Sequence, residues 1–335
     1  MADKKSRDDG RLKLVTRPSE HADRRGALVA IGGAEDKVGS RAILSQVVGL
    51  AGGARAVVAL FPTASQMPVE LELTYRQIFE GLGAEVRTVW VHERSDASDP
   101  ATVALLEGAT AAFFTGGAQG RIVSLLGGTP LAQTIRRRHR DGMLVAGTSA
   151  GASVICEHMI AQGRSGYAPR RHSVTMAPGI GLTKRLVIDQ HFAQRHRIGR
   201  LFAAVALNPF LIGVGIDEDT AIVLDSANRM KVLGRGTVTV IDGSKLLFTD
   251  IHETPHHANA AVLGLEVHVL TAGLGYDVDA RHPIWEHPKL EAVPPPRKGP
   301  AAPRSPRGAP PSTAKKGTKS AKPPRHLRTL EPDPT

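Results

Sequence analysis

The stretch Gly147-Thr148-Ser149-Ala150-Gly151 constrains this chain most. It follows the apolar run 143–146 and precedes a helix-like run, Ala152-Ser153-Val154-Ile155-Cys156. A G-x-S-x-G between a strand and a helix reads as a nucleophile elbow. Its turn is so tight that its neighbours must be small, and it pushes the serine oxygen out at the carboxyl end of the strand. The first N–H groups of a helix lack intrahelical partners, so that of Ala150 can stabilise an oxyanion. The same five residues also fit a Gly-rich turn with an incidental serine, so the rest of the chain must decide.

Such a turn belongs to a sheet whose strands alternate with helices. Short apolar runs occur at 27–31, 56–61, 86–91, 111–115 and 143–146, and helical spacing separates them at 40–50, 69–81 and 119–126. Buried strands alternating with helices predict an α/β fold, a three-layer sandwich on a mainly parallel sheet. After Gly199 the texture changes to short strands at 214–216, 221–224, 237–241, 245–248 and 266–270, with tight turns such as Asp242-Gly243. These predict a short antiparallel C-terminal extension. No linker or internal repeat interrupts this body, so residues 27–293 are expected to form a single catalytic domain.

The formal charge of +11 resembles that of a nucleic-acid binder until it is divided along the chain. Residues 1–26 carry +3 and residues 294–335 carry +8, which leaves the body neutral. The C-terminal segment also holds 12 of the 23 prolines. Pro/Ala/Lys/Arg sequence of this kind buries too little apolar surface to order itself. A disordered N-terminal arm (1–26) and a disordered basic tail (294–335) are therefore expected. The tail reads as a solubilising extension, or as a contact for nucleic acid, another polyanion or a polymer granule. Cys156 is the only cysteine, which excludes an intramolecular disulfide, and it is expected on the helix after the elbow, two turns beyond Ser149. No signal-like segment and no run of the ~20 apolar residues needed to cross a bilayer is evident, which predicts a cytoplasmic protein without membrane contact.

Serine needs a base, and the base needs an orienting partner. Of fourteen histidines, His191 stands out because the apolar run 186–188 delivers Asp189-Gln190-His191 to a strand end. Candidate acids follow the run 213–216, where Glu218 competes with Asp217 and Asp219. An esterase-like order of serine, acid and histidine would instead use Ser149, Asp242 and His268, although His268 sits in mid-strand between Val267 and Val269. The loop Thr115-Gly116-Gly117-Ala118-Gln119 allows close backbone approach, so N–H groups at Gly116 and Gly117 could complete an oxyanion hole; the loop Gly32-Gly33-Ala34-Glu35 is similarly placed. His252-Glu253-Thr254-Pro255-His256 formally fits a zinc motif, but Pro255 would break the helix that motif needs. No metal and no cofactor is expected, and the glycines at 32, 33 and 39 do not form a dinucleotide fingerprint.

Several stretches together resemble the cyanophycinases, serine peptidases related to dipeptidase E with a fold similar to class I glutamine amidotransferases (flavodoxin-like). They are Phe114-Thr-Gly-Gly-Ala-Gln119, Gly147-Thr-Ser-Ala-Gly-Ala152, Asp189-Gln-His-Phe-Ala-Gln-Arg-His-Arg-Ile-Gly-Arg-Leu201, Gly215-Ile-Asp-Glu-Asp-Thr-Ala-Ile222 and Val267-His-Val-Leu-Thr-Ala-Gly-Leu-Gly-Tyr-Asp277. The resemblance implies Ser149 as nucleophile, His191 as base and Glu218 as the third member. It also implies a substrate pocket from Gln119, Asp189, Gln190, Arg195, Arg197 and Arg200, and a homodimer. The implied substrate is cyanophycin, multi-L-arginyl-poly-L-aspartate, or β-linked aspartyl peptides, cleaved to β-Asp-Arg dipeptides. The family usually has Asp where this chain has Ala118, a departure that bears on substrate grip. Two other readings remain: an aspartyl dipeptidase of the dipeptidase E type, and a non-catalytic polymer-granule-binding relative. An amidotransferase would need cysteine at the elbow, and Cys156 comes seven residues later.

Overall fold

A computed structural model describes residues 24–255 and 258–285. The tail expected at 294–335 and most of the arm expected at 1–26 lie outside the described residues. The first half of the body alternates β1 (Leu28–Ile31), α1 (Ala42–Leu50), β2 (Val57–Phe61), α2 (Pro68–Gly81), β3 (Glu85–Thr88), α3 (Pro100–Ala104), β4 (Ala111–Phe114), α4 (Gln119–Leu126), α5 (Pro130–Arg140), β5 (Leu144–Thr148) and α6 (Ala150–Ser153). Proline opens α2, α3 and α5, where its missing N–H costs nothing. The side chains of Asp99 and Thr129 cap α3 and α5.

The second half contains β6 (His158–Gly163), β7 (Val174–Pro178), β8 (Leu186–Gln190), α7 (Ile198–Leu207), β9 (Ile212–Ile216), β10 (Thr220–Leu224), β11 (Arg229–Gly234) and β12 (Val238–Asp242). It closes with β13 (Phe248–Thr249), β14 (Val262–Leu263), β15 (Glu266–Leu270), β16 (Gly275–Asp277) and β17 (His282–Ile284).

The fold is α/β with a mainly parallel central sheet. Five strands run parallel in the order β1-β5-β4-β2-β3. Successive residues of these strands enter different apolar cores. Ala30, Ala59, Phe61, Phe114 and Val145 face one core, while Val29, Ile31, Val58, Leu60 and Ala146 face the other. Burial on both faces explains why β1, β5, β4 and β2 read as continuous apolar runs, whereas the edge strand β3 exposes Glu85.

The antiparallel part is more extensive than the sequence texture suggests. Beyond β1 the same sheet continues through β10, β11, β16 and β17, each antiparallel to its neighbour. A second sheet has the order β15-β12-β9-β8, in which β8 and β9 are parallel. The expected strand at 245–248 shrinks to the two-residue pairing of β13 with β14. The helix after the elbow is also shorter than expected, a single turn that ends at Ser153. The chain leaves it because Ile180 and Leu182 donate their N–H groups to Val154 O and Ile155 O. Cys156 therefore lies past the helix, in a bridge with Thr183. It is fully buried, and burial pushes its thiol pKa up to about 12.

The loop after β1 joins the two sheets at their carboxyl ends. Ile31 O accepts the N–H of Ser149 (2.9 Å), Gly32 O that of His191 (2.8 Å), and Gly33 O that of Asp219 (2.9 Å). Residues from β5, β8 and β9 thus meet at one edge, beyond the strand ends.

Candidate active site

Ser149 sits between β5 and α6 with φ 53° and ψ −113°, a backbone geometry that non-glycine residues rarely adopt. The flanking glycines permit it. A Cβ at 147 would land on Gly151 O, and a Cβ at 151 would land on Phe114 O. The strained turn aims Ser149 Oγ at His191, 2.9 Å from Nε2. His191 leaves the end of β8 at φ 47°, and its Nδ1 lies 2.6 Å from Glu218 Oε1. Because Gln190 pairs with Ile216 in the parallel register of β8 and β9, the residues that follow each strand emerge side by side.

The three consecutive carboxylates after β9 divide their tasks. Asp217 is buried and accepts from Ala193 N–H (3.0 Å), Thr237 N–H (3.0 Å) and Thr237 Oγ1–H (2.7 Å), so it fastens the His191 turn to the sheet. Asp219 accepts from Asp36 N–H and pairs with Arg235. Glu218 alone reaches the imidazole, while its own N–H donates to Gln194 Oε1 (3.1 Å). The alternative set does not assemble: Asp242 is held by Ser244 N–H, Tyr276 Oη–H and Arg281, and His268 packs beside the Tyr276 ring on β15.

Burial pushes the His191 pKa below that of a free imidazole. The Glu218 hydrogen bond opposes this shift, and the charges of Arg195 and Arg197 reinforce it. The ring is therefore neutral near pH 7 and able to accept a proton. Gly116 lies against the nucleophile, where an added Cβ would come 3.3 Å from Ser149 Cβ. Ala150 is buried at the start of α6, and Gly116 and Gly117 line the cleft that reaches Ser149 and His191.

Five of the six side chains that the resemblance assigns to substrate are occupied within the protein. Asp189 is fully buried, and its carboxylate meets the Arg200 guanidinium through two hydrogen bonds and Arg197 Nη1 at 3.3 Å. Arg197 also donates to the backbone and side-chain oxygens of Gln190, and Arg200 donates to Gly163 O. Gln119 donates to Ile160 O and Ala161 O, which ties α4 to β6. Arg195 precedes α7 and is exposed; its backbone N–H donates to His191 O (3.0 Å), while its guanidinium makes no hydrogen bond or ion pair among the described residues.

The cleft has a volume of about 700 Å³ and contains residues given no role by sequence reasoning. Gly33, at φ 99°, leaves room for the imidazole, since a Cβ there would overlap the ring. Glu35 is buried and accepts from Tyr75 Oη–H and from Thr148 Oγ1–H (2.6 Å), with Lys37 Nζ at 3.0 Å. Burial opposes ionisation of Glu35, yet Lys37, Thr148 and Tyr75 together bring its pKa below the usual carboxylate value. A carboxylate two residues after strand-ending glycines was the available signal; nothing in α2 singles out Tyr75.

Residues 251–254 form a turn in which Asp250 O accepts the N–H groups of Glu253 and Thr254. This is not the helix that the His252 motif would need, and His256 lies outside the described residues. Among the described residues, no three His, Cys, Asp or Glu side chains group as metal ligands.

A profile described as Peptidase family S51 matches residues 28–231. The chain is 43% identical to a cyanophycinase of a Nostoc species over 249 residues, covering 74% of this chain and 84% of that one. It is 38% identical to a cyanophycinase of Geminocystis herdmanii over 262 residues, or 78% and 96% of the two chains. It also superposes on a crystal structure of a peptidase from an acI-B1 Actinobacterium with TM-score 0.56 and 26% identity, covering 76% of this chain and 98% of that one.

Proposed function

The chain belongs to peptidase family S51 and is a serine peptidase, and from that premise we propose that it is a cyanophycinase. Relatives named cyanophycinase match it at 38–43% identity over most of both chains. The finer reading is an exopeptidase that releases β-Asp-Arg dipeptides by hydrolysing the polyaspartate backbone. The observation that carries the mechanism is the continuous path from Ser149 Oγ through both ring nitrogens of His191 to Glu218.

In this mechanism His191 Nε2 takes the Ser149 proton as the oxygen attacks the scissile carbonyl. Glu218 holds the proton-bearing Nδ1 and stabilises the imidazolium. N–H groups of Ala150 and of the Gly116/Gly117 loop receive the oxyanion. His191 then protonates the leaving amine, and water, activated by the same ring, hydrolyses the acyl-enzyme. Arg195 is the exposed guanidinium of the substrate set. Gln119, Asp189, Gln190, Arg197 and Arg200 contribute chiefly by shaping and stiffening the wall behind His191.

The two apolar cores on opposite sheet faces support a three-layer arrangement of the class I glutamine amidotransferase kind, within one catalytic unit spanning 27–293. A cytoplasmic homodimer is the state we assign by analogy. No helix among the described residues is long and apolar enough to cross a membrane. A direct comparison of kcat/KM on cyanophycin and on Asp-X dipeptides tests the substrate. The polymer should be strongly favoured, and preference for the short peptides would make the protein an aspartyl dipeptidase.

A further inference from the structure

Of the arginines that follow β8, Arg195 is exposed but stands outside the lining of the cleft that contains Ser149. Arg197 and Arg200 are turned inward on Asp189, with side chains 11% and 5% exposed. Lys37 lines the cleft with its side chain 31% exposed. Its placement is built rather than incidental. Nζ lies 3.0 Å from Glu35 Oε1, 3.4 Å from Glu35 O, and 5.3 Å from the centre of the Tyr75 ring.

Glu35, whose side chain is fully buried, is itself pinned by Tyr75 and by Thr148, the residue just before the nucleophile. A buried carboxylate persists only when paired and hydrogen-bonded in this way. The pairing fixes the ammonium relative to the elbow, unlike a free surface lysine. Both contacts run to one residue, so the three-donor ammonium keeps donor capacity for the cleft. Among the described residues, Glu35 and Lys37 are the only Asp, Glu, Lys or Arg side chains in the cleft lining, and of these two only Lys37 is accessible. The accessible charge of that lining is therefore positive.

The substrate proposed above offers a matching group. Each arginine is joined to an aspartate β-carboxyl through its α-amine, so its α-carboxylate is free and hangs a few bonds from the backbone amide that is cut. We propose that Lys37 anchors this arginyl carboxylate beside the scissile bond, with Glu35 and Tyr75 as its positioning residues. The inference rests on the cyanophycin reading and extends it to a specificity-determining residue.

The test uses the full chain and two synthetic β-Asp-Arg oligomers, one with free arginine carboxylates and one with carboxamides. Wild-type protein should prefer the carboxylate oligomer by about 10- to 100-fold in kcat/KM, the scale of one charge-assisted hydrogen bond. In Lys37→Met that ratio should fall towards one, mainly through KM, and Lys37→Arg should restore most of it. A serine-reactive phosphonate should continue to label Ser149 in both variants. An unchanged ratio in Lys37→Met, equal losses on both oligomers, or loss of labelling would overturn the assignment, because Lys37 would then act only through the elbow. Wild-type protein that accepts the phosphonate but cleaves neither oligomer would refute the substrate reading itself, and this proposal with it.

Discussion

At the residue scale, the site depends on backbone geometries that side chains rarely tolerate. Ser149 and His191 both hold positive φ, and Gly33 provides the space into which the imidazole fits. Gly33→Ala should therefore lower kcat by about 100-fold, the cost of a roughly 1 Å misplacement of a reacting group, while circular dichroism shows the fold retained. Unchanged turnover would mean that the ring does not need its present position. The charge of Arg195 lowers the His191 pKa. His191 serves as base only when neutral, so activity falls as pH drops through its folded-state pKa. Removing the positive charge in Arg195→Ala raises that pKa and should move the acid limb of kcat/KM to higher pH, by less at high salt. An unmoved limb would place Arg195 outside the electrostatic reach of the base. The family resemblance pointed to Glu218, but the residues Asp217-Glu218-Asp219 by themselves left all three as competitors for the base. Three consecutive acids project in different directions after a strand, and partners distant in sequence, Thr237 and Arg235, claim the outer two.

At the element scale, β8 and α7 are joined by a buried ion pair rather than by apolar packing alone. Arg200 is 4% exposed and Asp189 is fully buried, so Arg200→Ala leaves a carboxylate with only the longer Arg197 contact. Unfolding in denaturant should show a loss of about 3–5 kcal/mol, typical of a broken buried pair. A raised KM at unchanged stability would instead return Arg200 to direct substrate contact. Ala118 occupies the N-cap of α4 without a capping side chain, at an exposed position. Ala118→Asp should stabilise the protein by about 1 kcal/mol, read as a raised midpoint; a lowered midpoint would show that charge in the cleft outweighs the cap. The helices α1, α2 and α4 and the five parallel strands were legible because local periodicity encodes them. The fate of the chain after Ser153 was not, since hydrogen bonds from Ile180 and Leu182 end that helix. The family resemblance marked Asp189 and Arg200 as substrate-binding groups, not as partners of each other.

At the scale of the whole molecule, catalysis depends on two sheets meeting. Ser149 follows a strand of the central sheet, whereas His191 and Glu218 follow neighbouring strands of the second sheet. The loop after β1 ties both together through Ile31, Gly32 and Gly33. The parallel half of the fold could be anticipated from the sequence. The pairing of β8 with β9 in a separate sheet could not, because pairing partners are set by tertiary packing and leave no local pattern. The body between residues 27 and 293 is formally neutral and the segment 294–335 carries +8. Truncation before Pro294 should accordingly leave kcat/KM on soluble β-Asp-Arg oligomers unchanged, and a large loss would assign the tail to the catalytic unit. The most direct measurement of the central claim is mass analysis of the products released from insoluble cyanophycin by wild-type protein and by Ser149→Ala. Wild-type protein should release β-Asp-Arg dipeptides, and the variant should lose at least about 10⁴-fold of that activity. Free arginine as the main product, or comparable dipeptide release by Ser149→Ala, would contradict that claim.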